Sequence, residues 1–263
     1  MKRFKTISML IITVAVVIGL GSFTAPAQAD APASGCVIVH RGQGHAENTI
    51  SNFKRAINHG ACGIEADVRS TSDHVKVLNH DATLNRTTNG TGRVSSRSWH
   101  YVSRLRVGHT HAHVATYQQV LILCRDSRLQ VCMFEAKKGM SSADVLTMAQ
   151  DAVNIMGDKL YKVTIETDTF AQTRTIENSE FKQVSTAFVG FNSWPNVSDV
   201  KASGADGIIV NRPVMSRARV ASAAQHGLWV TPYTIETRKQ FARVRHMGSH
   251  GAMTDSSPSR LIG

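Results

Sequence analysis

The chain has 263 residues and a formal net charge of +11, with 30 lysines and arginines against 19 aspartates and glutamates. Aromatic residues make up 6% of the chain and are not interleaved with the basic ones, which argues against nucleic-acid binding. Because the basic residues form no run of five or six, the charge predicts weak attraction to anionic surfaces or simple solvation.

The first 29 residues predict a secretory signal peptide. A basic start, MKRFK, precedes an apolar stretch, and Ala-Gln-Ala at residues 27–29 has the pattern of a cleavage site. An uncleaved membrane anchor is the alternative, but the apolar stretch is short for a span and no other long one exists. We therefore expect residues 30–263 to be exported, into the medium or a periplasm-like compartment, without stable membrane insertion. Removal of three basic residues would leave a charge of 27 − 19 = +8.

Strand-like and helix-like stretches then alternate. Eight apolar runs predict strands, in order CVIVH, GIEADV, LQVCMFEAK, KVTIET, TAFVGF, GIIV, LWVTPYT and GAMTD. Helical spacing is clear over residues 50–60, and Ser141 with Asp144 is close to a capping box. Further helices are predicted near residues 115–125, 196–203, 216–226 and 237–246.

One extra run, HVKVLNHD, follows GIEADV after only RSTSD. That connection is too short for a parallel crossover, so we expect a hairpin return from the second strand. The other eight strands predict an α/β fold, a (β/α)8 TIM barrel with a small hairpin and lid insertion after strand two, and a last helix that is short or missing. An open doubly wound sheet is the alternative, but HRGQGH lacks the G-x-G-x-x-G spacing of its phosphate turn.

Four cysteines in an exported chain predict two disulfides, for which three pairings exist. Cys36 and Cys62 each begin a strand-like run, whereas Cys124 and Cys132 flank one short loop, so we favour these two pairs. A cysteine-ligated metal would need a C-x-x-C spacing that the sequence lacks.

Charged residues collect at the predicted strand ends, where a barrel of this kind has its active site. Glu65 and Asp67 end the second strand, and Glu135 and Lys137 end the third, so each pair shares a face. Three carboxylates in one mouth repel each other unless a cation binds or some are protonated. An all-oxygen site favours Mg²⁺, Ca²⁺ or Mn²⁺, and ion pairs with Arg41 and Lys137 are the alternative.

Two histidines lie at the same predicted mouth, His40 after the first strand and His80 at the end of the hairpin return. They can serve as acid and base in turn, each contributing a factor of about 10²–10⁴ in rate. Arg41 can bind two phosphate oxygens at once. These side chains together with a hard cation predict phosphodiester cleavage.

Between residues 40 and 137, the motifs HRG with ENT, GIEADV, TSDHVKVLNHD, LNRTTNGTG and FEAK closely resemble the glycerophosphodiester phosphodiesterases. The resemblance implies a TIM barrel that uses a divalent cation, Mg²⁺ or Ca²⁺. It also implies roles for seven side chains: metal binding by Glu65, Asp67 and Glu135, acid–base catalysis by His40 and His80, and phosphate contacts by Arg41 and Lys137.

The implied reaction is hydrolysis of a small glycerophosphodiester, such as glycerophosphocholine, to glycerol 3-phosphate and an alcohol. One histidine deprotonates the nucleophile, and the other protonates the leaving alcohol. Residues 82–114 would form a small lid over an open pocket. The sequence departs from the family near the seventh strand, where Tyr233 stands in place of a tryptophan.

Two other functions remain open. A phospholipase D-like enzyme on the same barrel, acting on lysophospholipids or sphingolipids, would need an apolar patch at the mouth. A non-catalytic cation- or phosphate-binding barrel would not need two histidines. His109, His111 and His113 could share a face and bind zinc, but a polar lid is the better prediction for that segment.

Overall fold

The computed structural model describes residues 31–44 and 46–262. The signal peptide that the sequence predicts over residues 1–29 lies outside the described residues. Within the described ranges, no helix is both long enough and apolar enough to cross a membrane.

The described chain contains one sheet of nine strands. The strands are β1 (Val37–His40), β2 (Gly63–Ser70), β3 (Lys76–Leu78), β4 (Val131–Ala136), β5 (Val163–Thr167), β6 (Ser185–Phe191), β7 (Gly207–Asn211), β8 (Trp229–Tyr233) and β9 (Ala252–Thr254). Their order is β8-β7-β6-β5-β4-β2-β1-β9, with every neighbouring pair parallel. Strand β3 pairs antiparallel with β2, which confirms the predicted hairpin return.

The two ends of this strand order meet and nearly close a barrel. The backbone N–H of His250, just before β9, donates to the carbonyl of Val230 in β8 at 2.8 Å. Just after β8, the N–H of Ile235 donates to the carbonyl of Met253 in β9, also at 2.8 Å. Eight parallel strands with helical connections therefore confirm the predicted (β/α)8 barrel.

Helices follow the strands around the outside of the barrel. They are α1 (Ile50–Asn58), α2 (Trp99–Val102), α3 (Tyr117–Asp126), α4 (Ser142–Met156), α5 (Phe170–Glu177), α6 (Val197–Ser203), α7 (Arg217–Gln225), α8 (Arg238–His246) and α9 (Ser259–Ile262). Short 3-10 turns cover Val94–Ser96, Gly157–Lys162 and Arg212–Val214. The last helix is a single turn, as expected.

Helix α5 is absent from the sequence prediction. Its buried face consists of Gln172, Thr173 and Ile176, so two of its three buried residues are polar and the apolar period is hidden. A capping box nevertheless begins the helix, because the Thr169 hydroxyl accepts from the N–H of Gln172 and the Gln172 side chain accepts from the N–H of Thr169.

The barrel interior has an apolar lower layer and a charged upper layer. The lower layer includes Ile38 and Met133, which are fully buried. Two residues further along the same strands, on the same face, lie His40 and Glu135. The apolar layer closes the charged layer from below, which keeps water out and raises the cost of leaving its charges unpaired.

Both predicted disulfides are present. The Cys36–Cys62 bond joins the starts of β1 and β2, with Cα atoms 5.2 Å apart. The Cys124–Cys132 bond joins α3 to β4 across 6.4 Å. The pairing that the sequence favours is therefore confirmed.

The predicted lid, residues 82–114, is a packed insertion with its own small core. Its buried apolar side chains include Leu84, Val94 and Val102. The Arg106 guanidinium contacts His111 Nδ1 at 3.0 Å, and a short antiparallel bridge pairs Arg106 with His113. Among the described residues, the one metal-capable cluster of acidic, histidine or cysteine side chains includes none of the three lid histidines.

Gly207 begins β7 at a position where a side chain has no room. A Cβ atom there would lie 2.2 Å from Cδ2 of the Trp229 ring. We expect Gly207→Ala to lower the free energy of unfolding by about 1–3 kcal/mol through overpacking. Gly35→Ala is the matched control, because a Cβ there meets nothing within 4 Å. Urea denaturation compares the two, and equal losses would contradict this account.

Candidate active site

Strand pairing brings the predicted acidic residues to one level of the barrel. In register, Asp67 of β2 lies beside Glu135 of β4, and Glu135 lies beside Glu166 of β5. His40 of β1 lies beside Glu65 of β2. Because the strands are parallel, their carboxyl ends meet at one mouth, and the acids lie together there.

Three of these carboxylates form a cluster suited to a cation. Glu65, Glu135 and Glu166 are buried, and each offers an oxygen within 4.8 Å of the others. Burial, reinforced by neighbouring carboxylates, raises the pKa of Glu135 to about 9 and that of Glu166 to about 8. The same causes raise the pKa of Glu65 well above its usual range. Repelling, buried acids of this kind either hold protons or bind a cation.

The orphaned oxygens in this cluster favour the cation. Glu65 Oε1 and Glu166 Oε1 are buried and have no hydrogen-bond partner among the described residues. An unpartnered buried oxygen is costly, and a hard divalent ion would satisfy both oxygens at once. The residues present therefore fit Mg²⁺ or Ca²⁺ better than a set of internal ion pairs.

Asp67 lies in a different environment from the three glutamates. Asn48 Nδ2 donates to its carboxylate at 2.7 Å, while Arg41 Nε and Lys137 Nζ each lie 3.2 Å from a carboxylate oxygen. Although burial opposes its charge, Lys137 and Arg41 lower the pKa of Asp67 to about 2. Ion pairs with Arg41 and Lys137 thus describe Asp67, and Lys137 also pairs with Glu135 at 2.7 Å. The unpartnered oxygens that a cation would satisfy belong to Glu65 and Glu166. The predicted ligand set shares two members, Glu65 and Glu135, with the cluster.

Each candidate catalytic histidine has one ring nitrogen held by an aspartate. His40 Nδ1 lies 2.6 Å from Asp255 Oδ1, and its Nε2 lies 3.6 Å from Glu65 Oε2. His80 Nδ1 lies 2.8 Å from Asp81 Oδ1. Burial lowers the pKa of His80, despite the nearby carboxylates. With Nδ1 bound to a carboxylate, Nε2 is the nitrogen left to exchange a proton with a ligand.

A chain of contacts holds Asp81, the aspartate that contacts His80, in place. Arg86 donates to Asp81 through Nε at 2.7 Å and Nη2 at 3.0 Å. The same guanidinium donates to Glu47 through Nη2 at 2.7 Å and Nη1 at 3.1 Å. These Arg86 contacts hold the pKa of Asp81 well below its usual range. Glu47, from the ENT motif, therefore supports His80 through Arg86.

The backbone after β1 turns sharply so that Arg41 can reach the site. Arg41, Gly42 and Asn48 all have positive φ, at 57°, 78° and 60°. The N–H of Arg41 donates to the backbone carbonyl of Glu65 at 3.0 Å, and the N–H of Asn48 donates to the carbonyl of Arg41 at 2.7 Å. This turn gives Asn48 and Arg41 their common contact with Asp67.

The site opens into a cavity of about 220 Å³. Six of the seven predicted site residues line it; Asp67 does not, because it is fully buried behind Arg41 and Lys137. Phe191 and Tyr233 form an apolar part of the cavity wall. The Tyr233 ring stacks on the His40 ring, with the two ring centroids 6.1 Å apart. The six predicted residues at the cavity are His40, Arg41, Glu65, His80, Glu135 and Lys137.

Sequence reasoning missed Glu166, although a signal for it exists. It lies near the end of the run KVTIET, and a charged residue at a strand end is the feature that marked the other site residues. Arg69 was also missed, although it follows Glu65 and Asp67 at spacing i+4 and i+2 on the same strand. Asn48 could not be found this way, because its contact with Asp67 depends on the turn that follows β1.

The barrel and its mouth together suit an enzyme that cleaves phosphate esters: the mouth offers proton-transfer groups, cationic side chains and a carboxylate cluster that fits a metal ion. The model of the glycerophosphoryl diester phosphodiesterase family matches residues 40–258. The chain belongs to that family.

Curated relatives from the same family match different lengths of this chain. Human glycerophosphodiester phosphodiesterase 1 is 41% identical over 76 residues, which cover 28% of this chain and 23% of the human protein. The chain thus matches about a quarter of the length of the first such relatives. YhdW of Bacillus subtilis is 26% identical over 231 residues, covering 83% of this chain and 93% of YhdW.

Solved structures share the fold. An Oleispira antarctica phosphodiesterase, determined in complex with the product sn-glycerol-3-phosphate, superposes with a TM-score of 0.75 at 16% identity. The superposition covers 86% of this chain and 95% of that one. A glycerophosphodiester phosphodiesterase from Agrobacterium tumefaciens has a TM-score of 0.73 at 22% identity, covering 86% and 98%.

Proposed function

We propose that this protein is an exported, divalent-cation-dependent phosphodiesterase that hydrolyses glycerophosphodiesters to glycerol 3-phosphate and an alcohol. The observation that carries the proposal is that His40 and His80 line one cavity and each has Nδ1 bound to an aspartate. Cation or phosphate binding alone would not require two histidines so arranged. Family membership and the product bound to the Oleispira antarctica structure support glycerol 3-phosphate as the product.

In this proposal the histidines exchange one proton each per step. One Nε2 takes the proton of the attacking hydroxyl, and the other gives a proton to the oxygen of the leaving alcohol. If the attacking group is the neighbouring glycerol hydroxyl, a cyclic phosphate forms and the alcohol leaves. Water then opens the ring, with the two histidines exchanging their roles.

Arg41 and Lys137 would bind the phosphate. Both line the cavity and both lie 3.2 Å from Asp67, which fixes their charged groups before a substrate arrives. Such fixed cations stabilise negative charge on phosphoryl oxygens without having to reorganise. Lys137 also donates to Glu135 Oε1 at 2.7 Å, so it connects the phosphate contact to the carboxylate cluster.

Glu65, Glu135 and Glu166 would hold the cation, since each offers an oxygen within 4.8 Å of the others. Asp67, the third ligand that the family resemblance implies, is paired with Arg41 and Lys137. When bound, Mg²⁺ or Ca²⁺ supplies Lewis-acid stabilisation of charge on the phosphoryl oxygens. Export rests on the N-terminal sequence pattern, and the two disulfides suit an oxidising compartment.

Phosphorus NMR of glycerophosphocholine incubated with the protein tests the activity. We expect glycerol 3-phosphate to appear in excess Mg²⁺ or Ca²⁺, to stop appearing in EDTA, and to return when the ion is restored. The His40→Ala variant, purified in the same way, controls for contaminating hydrolases. No hydrolysis with either ion would contradict the proposal. Choline phosphate as the product would show that the other P–O bond of the diester is cleaved.

A further inference from the structure

A second cavity of about 240 Å³ borders the candidate active site. It lies between the end of β2, the start of α4 and the insertion. Arg69, Arg93 and Lys138 contribute its cations, and Ser70 is among its hydroxyl residues. We call it the basic cavity.

Arg69 connects the basic cavity to the active site. It follows Asp67 on the inward face of β2, and its guanidinium donates to the carbonyl of His80 through Nε at 3.0 Å and Nη2 at 2.7 Å. His80 lines the catalytic cavity, whereas Arg69 lines the basic one. On the neighbouring strand end, Lys137 lines the first cavity and Lys138 the second. The two cavities therefore lie next to each other along the ends of β2 and β4.

Among the described residues, no carboxylate forms a close ion pair with the cations of the basic cavity, although four carboxylates near the active site attract the Arg69 guanidinium from farther away. Arg69, Arg93 and Lys138 form no side-chain ion pair within 4.0 Å of any described carboxylate. The one carboxylate in the lining belongs to Asp144, which already pairs with Lys76 Nζ at 3.0 Å. The nearby Asp168 accepts from the backbone N–H of Lys138 at 2.8 Å.

Polar residues other than the cations also line this space. The hydroxyl oxygen of Ser70 is buried and has no hydrogen-bond partner among the described residues. The first turn of the 15-residue helix α4 begins at the cavity, where Ser141 is the N-cap and lines the wall. Helix N-termini favour anions, although Asp144 in that turn offsets part of the effect. Guanidinium, ammonium, hydroxyl and helix N-terminus together form a set of donors that suits phosphate.

We infer that the basic cavity binds a second phosphate, carried by the leaving alcohol of the substrate. The inference rests on the proposed function and adds a substrate class to it: glycerophosphodiesters whose alcohol is itself a phosphate ester. The reaction is unchanged, because water adds across the same P–O bond and the alcohol leaves with a proton. Choline would gain nothing here, since its ammonium group meets like charge.

The test compares deacylated cardiolipin, whose leaving alcohol carries a phosphodiester, with glycerophosphocholine. The double variant Arg93→Ala/Lys138→Ala removes two exposed cations of the cavity. We expect it to lower the ratio of kcat/KM for deacylated cardiolipin over glycerophosphocholine by about tenfold, the effect of losing one charge-assisted contact. The double variant Lys54→Ala/Arg217→Ala makes the same charge change at exposed positions outside both cavities and should keep the ratio.

A binding measurement keeps this inference separate from the proposed activity. Isothermal titration of deacylated cardiolipin, in a His40→Ala background with Ca²⁺, should show about tenfold weaker affinity after Arg93→Ala/Lys138→Ala but not after the control pair. That loss supports the subsite even if no substrate is hydrolysed, in which case only the proposed function fails. Equal affinity and an equal kcat/KM ratio in the two double variants would overturn the subsite.

Discussion

Replacing His40 or His80 by alanine will lower the turnover of a glycerophosphodiester by a factor of about 10²–10⁴ for each histidine. Each ring has Nδ1 bound to an aspartate and lines the cavity, so each variant loses one proton-transfer group. Divalent-cation affinity should stay near normal, because the carboxylate cluster consists of glutamates. Release of glycerol 3-phosphate measures the first effect, and calorimetric Ca²⁺ titration measures the second.

Three further variants sharpen this result. Asp81→Asn and Asp255→Asn keep the side-chain shape but remove the charge that orients each histidine, so their losses should be smaller than those of the alanine variants. His226→Ala is the matched control, since this exposed residue follows helix α7 and its ring contacts the carbonyl of Ser222 at 2.8 Å. Nearly full turnover in His40→Ala or His80→Ala would refute the acid–base pairing.

Without a divalent cation, the protein will lose stability as the pH rises from 6 to 9. Folding raises the pKa of Glu65, Glu135 and Glu166, so the folded protein holds protons that the unfolded chain has released. The stabilising contribution is complete below the ordinary glutamate pKa and is lost as the pH passes about 8 for Glu166 and about 9 for Glu135. Each proton that the folded protein holds and the unfolded chain lacks lowers the free energy of unfolding by about 1.4 kcal/mol for each unit by which the pH rises.

Saturating Ca²⁺ should flatten or reverse that slope, because the ionised carboxylates then have a partner. Urea denaturation at several pH values, in EDTA and in Ca²⁺, measures both curves. Glu166→Gln should make the EDTA curve shallower and weaken the response to Ca²⁺, whereas the exposed Glu180→Gln should change neither. A flat curve in EDTA would show that the cluster does not hold these protons.

Much of this molecule follows from local sequence pattern. The eight barrel strands and the β3 return were predictable, because apolar runs and a five-residue connection leave few alternatives. Helix α5 was not, since Gln172 and Thr173 occupy positions that an apolar period would fill. A rule based on apolar spacing does not detect a helix whose buried face carries polar residues, even when those residues hydrogen-bond to the helix N-cap.

The positions of the site residues were easier to predict than their separate roles. Strand ends identify where Glu65, Asp67 and Glu135 lie, but not which of them is charged. That distinction depends on the turn after β1, which brings Arg41 and Asn48 to Asp67, whereas Glu65 Oε1 and Glu166 Oε1 have no hydrogen-bond partner among the described residues. Contacts made through left-handed backbone have no periodic signature in the sequence.

The meeting of β9 with β1 has a consequence for when the site becomes complete. Asp255, just after the last strand, supplies the carboxylate for His40, which ends the first strand 215 positions earlier. A chain that has assembled its strands only as far as β8 already contains Glu65, Glu135, Glu166, Arg41 and Lys137. The carboxylate that holds His40 Nδ1 is therefore in place only when β9 pairs with β1 and the strand order is complete.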